Sequence, residues 1–143
     1  MTESTGDERP DILSHVLLPV ANKQDALSTA KALEPYQPAK VTVLHVVEKG
    51  EGVPDKTPVE QSHEIAEESF EAARTVFPDA DDHVTYARDI VGAIFEVAED
   101  VDASAIVFQS RTDNRLIRFL SGDLTLKLIT EADRPVIELP HTG

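Results

Sequence analysis

The sequence predicts a single doubly wound α/β domain in which five buried strands alternate with four helices. Three observations predict it. Short, almost wholly apolar runs such as HVLLPV, KVTVLHVVE and SAIVFQ are the runs expected of strands covered on both faces. Longer stretches between them carry apolar residues at helical spacing, with charges on the opposite side. The two kinds of segment alternate along the chain, which gives a parallel sheet with right-handed crossovers.

Each element has its own local reason. HVLLPV (His15 to Val20) is the first strand. Asn22 to Leu33 is the first helix, with Asn22 and Asp25 spaced as a capping pair, Ala26, Ala30 and Leu33 on one face, and Pro35 and Pro38 to stop it. KVTVLHVVE (Lys40 to Glu48) is the second strand, rich in β-branched residues, and KGEGVPDKT after it is a loop. Thr57-Pro58-Val59-Glu60 is a helix-start signal, so a helix is predicted from Pro58 to about Val76. Its apolar stripe is Val59, Ala66, Phe70, Ala73 and Phe77, and its glutamates form a solvated face. HVTYAR (His83 to Arg88) is the third strand, with alternating character, and Asp89 caps the helix that follows over Ile90, Ile94 and Val97. Gly92 in that helix either weakens it slightly or marks a close contact. SAIVFQ (Ser104 to Gln109) is the fourth strand, Gly122 to Glu131 the last helix, and RPVIELP the fifth strand.

Composition narrows the function classes. The chain has 143 residues, enough for one domain with a proper core; residues 1–12 are predicted to be a disordered tail and 13–141 the domain. With no cysteine there are no disulfides, thiolate metal sites or cysteine nucleophiles, and the composition fits a cytoplasmic protein. No run is long and apolar enough for direct membrane insertion. A net charge of -14, from 27 acidic and 13 basic residues, argues against nucleic acid as a partner and suits a halophilic cytoplasm where salt screens the carboxylates. Five histidines (His15, His45, His63, His83, His141) lack metal-ligand spacing, so no metal is expected. Ser110 has no glycine elbow around it, and no catalytic residue is assigned.

In a doubly wound sheet, ligands bind outside the carboxyl ends of the strands. That rule selects Ala21 and Asn22, Val46 and Val47, Arg88 and Asp89, and Gln109 to Thr112. Near the last of these, Arg111, Arg115 and Arg118 form the one locally positive segment of an acidic chain. They are read as a solvated face with salt bridges to that surface, with possible anion contacts as the alternative.

HVLLPV with the helix after it, KVTVLHVVE, ARDIVGAIFEVAEDVDASAIVFQSR and ITEADRPVIELP together resemble the universal stress protein family from Ser14 to Pro140. The resemblance implies a Rossmann-like, adenine nucleotide alpha hydrolase-like fold with strand order 3-2-1-4-5. It also implies a homodimer paired through the last strand at Val136, Ile137 and Leu139. Many members bind ATP through GxxG, nine further residues and Gly-Ser or Gly-Thr, together with an Asp two residues beyond the Pro of the first strand. Laid on that pattern, Phe108, Gln109, Ser110, Arg111 and Thr112 fall on the strand end and loop, with Gln109 and Thr112 at the first two glycines. Gly122 keeps the third glycine, and Asp123 replaces the hydroxyl residue. Pro19 is kept, the Asp falls on Ala21, and Val46 lines the base pocket. Side chains at Gln109 and Thr112 would crowd a phosphate cradle. Asp123 would stabilise its helix by roughly 0.3 to 1 kcal/mol while repelling a triphosphate.

The acidic composition and these departures together predict a haloarchaeal-type member with a degenerate ATP-binding motif: a non-enzymatic, cytoplasmic stress-response protein acting by protein interaction or small-ligand sensing, with ATP binding of the usual family kind weak or absent and no cofactor expected. The alternative is a member that binds ATP or AMP through a modified loop. An unidentified protein partner is a third possibility.

Overall fold

The computed structural model describes residues 11–48, 59–109 and 122–140. The elements are β1 (Val16–Val20), α1 (Lys23–Leu33), β2 (Val41–Glu48), α2 (Val59–Arg74), β3 (Asp81–Ala87), α3 (Ile90–Asp100), β4 (Ala105–Phe108), α4 (Gly122–Thr130) and β5 (Val136–Glu138). All the strands are parallel, in the order β3-β2-β1-β4-β5. This is the α/β architecture and strand order expected from the sequence.

The alternation of side chains along the strands divides the core between two faces. Val16, Leu18, Val20, Val41, Val43 and Val107 pack with residues of α1 and α2. On the other face, Leu17, Leu44, Val46, Ile106 and Phe108 pack with α3 and Leu128 of α4. Val16, Leu17, Leu18 and Val20 of β1 are all fully buried. Each such side chain stabilises the fold by about 1.5 to 3 kcal/mol relative to exposure.

Capping shapes the helix ends. Asn22 Oδ1 accepts from the Asp25 N–H at 2.8 Å, as the capping pair predicts. At α3, Asp89 Oδ1 accepts from the Gly92 N–H at 3.1 Å. A Cβ on Gly92 would lie 2.6 Å from Asp89 Oδ2, so this glycine makes room for the cap. Where α3 ends, Asp102 takes a left-handed φ of 60°, which Asp tolerates better than most residues. Arg134 then reaches back from the start of β5 and donates to Ala98 O at 3.1 Å and Ala103 O at 2.9 Å. Asp133 holds the guanidinium from the other side, and the hydrogen bond from Arg134 keeps the Asp133 carboxyl below the usual carboxylate range.

The start of β3 differs from the sequence reading. β3 begins at Asp81, two residues before His83, because the ladder with β2 already pairs Thr42 with Asp81 and Val43 with Asp82. Its half-buried and exposed residues do not alternate cleanly, as befits a strand at the sheet's edge. The α2 start signal at Thr57 and Pro58 lies outside the described residues. At the amino terminus, Asp11 Oδ1 accepts from the Leu13 N–H and Ile12 O from Ser104 Oγ.

Candidate functional site

The carboxyl end of β1 is shaped by a proline. β1 pairs with β2 as far as Val20 and His45, but with β4 only through Val16–Ala105 and Leu17–Ile106. Val16 donates toward β2, so odd-numbered residues of β1 present their N–H groups to β4. Residue 19 would make the next bond, and Pro19 has no N–H to give. The β1–β4 ladder therefore ends at Leu17, between the two strands where the chain order reverses.

Three of the residues selected from the sequence share one apolar cluster on the α3 and α4 face of the sheet. Val46 and Phe108 are buried in the cluster formed with α3 and α4, and Ala21 packs against the same cluster. Ile90 and Leu128 belong to the same cluster.

Gln109 lies on the opposite side. Val107 faces α1 and α2 and Phe108 faces α3 and α4, so alternation returns Gln109 to the α1 side. It is 1% exposed. Ser28 Oγ donates to its Oε1 at 2.7 Å, and its Nε2 donates to Pro140 O at 3.1 Å. The expectation that this side chain crowds the loop is thus corrected: the amide is turned inward and bonded at both ends.

The absence of a carboxylate at Ala21 is also only part of the local chemistry. Asp25, one turn into α1 and fully buried, accepts the Ala21 N–H on Oδ2 at 2.8 Å. Thr29 Oγ1 donates to its Oδ1 at 3.3 Å. Sequence reasoning assigned Asp25 only to the capping pair. The available signal was an acid beside Ala26 on the apolar face of α1, followed four residues later by a hydroxyl, since a buried carboxylate needs donors.

His45, beside Val20 in the ladder, is also buried. Its Nδ1 donates to Val20 O at 3.2 Å; a carbonyl can only accept, which assigns the proton to Nδ1. Burial holds its pKa below the ordinary value, so the ring is neutral near pH 7.

Gly122 opens α4, as expected, while the side chain of Asp123 lies outside those described. Ser110, Arg111, Thr112, Arg115 and Arg118 also lie outside the described residues. Among the described residues, no group of three or more histidines and carboxylates is arranged to hold a metal ion.

At the opposite, amino-terminal end of the sheet is a polar cleft of about 440 Å³ whose walls include His15, Lys40, Arg74, Asp81, Asp82 and His83. Its charges answer one another: Lys40 pairs with Asp81 at 3.5 Å and Arg74 with Asp82.

A family model described as the universal stress protein family matches residues 13–139. The chain belongs to the universal stress protein family. Solved universal stress proteins share its fold. One from Archaeoglobus fulgidus, in complex with dAMP, is 23% identical, with a TM-score of 0.65, and the match covers 91% of this chain and 100% of that one. UspA from Lactobacillus plantarum is 21% identical, with a TM-score of 0.62 and coverage of 91% and 99%. A universal stress protein in complex with cAMP is 14% identical, with a TM-score of 0.62 and coverage of 90% and 98%. None of the curated proteins matches the chain.

Within this universal stress protein fold, Ala21, Val46 and Phe108 share the apolar cluster on the α3 and α4 face, whereas the Gln109 side chain lies on the α1 face. Among the described residues no helix is long and apolar enough to cross a membrane.

Proposed function

We propose that this universal stress protein is a cytoplasmic, non-enzymatic stress-response protein that acts as a homodimer through protein contacts or small-ligand sensing. ATP binding of the usual family kind is weak or absent. The observation that carries this reading is the state of the β1 exit. Ala21 offers no side-chain acceptor, and its N–H is already given to the protein's own Asp25. The homodimer reading is supported by β5 standing outermost in the sheet, with Ile137 and Leu139 on an apolar groove of about 250 Å³ beside Leu33 and Tyr36. Leu126 and Ile129 of α4 are also exposed.

A second reading, binding of a nucleoside monophosphate through a modified loop, is favoured by the apolar cluster of Ala21, Val46 and Phe108 near the carboxyl ends of the strands and by the two relatives solved with dAMP and cAMP. Calorimetric titration with ATP, AMP and magnesium in high salt separates the readings. No heat with ATP at micromolar concentrations is expected of the first; saturable AMP binding with weak ATP binding establishes the second.

A further inference from the structure

β5 contains only three residues and is paired on one side, to β4, in the register Ile106–Val136, Val107–Ile137 and Phe108–Glu138. Such a short edge strand has few main-chain bonds to hold its exit. Leu139 N–H donates to Phe108 O at 2.8 Å, the last main-chain bond that β5 donates to β4 among the described residues. A side-chain bond extends the contact by one residue: Gln109 Nε2 donates to Pro140 O. Two consecutive residues at the end of β4 thus hold two consecutive residues leaving β5.

The amide is oriented by chemistry. The Pro140 carbonyl can only accept, so the NH₂ end must face it, and the oxygen end must face Ser28, whose hydroxyl donates to it. The side chain is buried, so these partners are not interchangeable with bulk water. Ser28 sits on α1, the helix whose first turn also engages the Ala21 N–H through Asp25.

We infer that Gln109 is a positioning residue that braces the outer edge of the sheet, tying the exit of β5 to α1 and thereby to the ligand end of β1. The position at which the loop leaves β4 serves the edge strand through this side chain. Because β5 is the proposed self-association edge, the brace also sets the geometry in which a second copy docks; that consequence rests on the homodimer reading, whereas the brace itself does not.

The test is amide hydrogen exchange on the full chain, comparing wild type with Gln109→Leu, Ser28→Ala and the double variant. Gln109→Leu keeps the bulk and removes both hydrogen bonds. The expected result is at least tenfold faster exchange at Leu139, with Ile94 in α3 and Leu18 in β1 unchanged. Ser28→Ala should have a smaller effect in the same direction, with the double variant no worse than Gln109→Leu alone. Unchanged exchange at Leu139, or equal acceleration at Ile94 and Leu18, overturns the brace. Sedimentation of the same proteins reads the second consequence: a tenfold weaker dimer for Gln109→Leu supports it, and a wild type that is monomeric at every concentration removes the homodimer reading while leaving the exchange result to decide the brace.

Discussion

The two ends of the sheet handle polar groups in opposite ways. At the amino-terminal end, Lys40, Arg74, Asp81 and Asp82 are partly exposed and neutralise one another across an open cleft. At the carboxyl end, Asp25, His45 and Gln109 are buried, and each has a hydrogen bond to the main chain: to the Ala21 N–H, Val20 O and Pro140 O. The first arrangement costs little to disturb, because water replaces lost partners. The second is costly to disturb, and its polar groups are committed to the protein before any ligand arrives. The end of the sheet where ligands bind in this architecture is therefore the end that has already used these polar groups on itself.

The largest break in this contrast is expected from Asp25→Ala, which strips acceptors from the half-buried Ala21 N–H and the buried Thr29 hydroxyl. A loss of about 3 kcal/mol in urea unfolding is expected from leaving such donors unsatisfied. A loss below about 0.5 kcal/mol would make the carboxyl end no different from the amino-terminal one. Arg134→Met should follow at about 2 kcal/mol, since the Ala98 and Ala103 carbonyls lose a charged donor at the turn into β4.

The histidines sharpen the comparison through pH. Burial lowers the pKa of His45 at one end and, first by burial and then by Lys40, that of His15 at the other. A histidine with a depressed folded pKa binds fewer protons folded than unfolded, so stability is full above the unfolded value of about 6.5 and falls as pH drops below it. For His45 the slope is at most about 1.4 kcal/mol per pH unit. Unfolding curves at pH 7 and pH 5.5 should show this loss, and His45→Gln should reduce the slope.

A subtler effect separates helix propensity from capping at α3. Gly92→Ala should be nearly neutral, because about 1 kcal/mol of propensity gained is offset by the displaced Asp89 cap. In an Asp89→Ala background the same substitution should stabilise by about 1 kcal/mol in thermal unfolding. Smallest of all, Lys40→Ala should change stability by less than about 0.5 kcal/mol, since it breaks only an exposed pair.

Much of this was legible in the sequence because backbone choices are written locally. Apolar runs, the Asn22 and Asp89 caps and the alternation of segment types located the strands and helices, and the family resemblance supplied the strand order. Pro19 was legible as a motif residue, but its effect on the β1–β4 ladder required the direction of its missing N–H. Gln109 was placed correctly at the strand end and given the wrong direction, because the partners that turn it inward are 81 residues before it and 31 after it. Asp25 and Arg134 were missed as structural groups for a related reason. Asp25 binds main chain that local spacing already explained as a cap, and Arg134 binds main chain more than 30 residues away. Strand β3 began earlier than its apolar pattern because pairing with β2, not burial, sets its start.

The most direct test of the central claim is calorimetric titration of the wild-type protein with ATP and magnesium at high salt. An end of the sheet that has satisfied its own polar groups predicts no saturable binding at micromolar ATP. One ATP bound per chain with a micromolar Kd would contradict it.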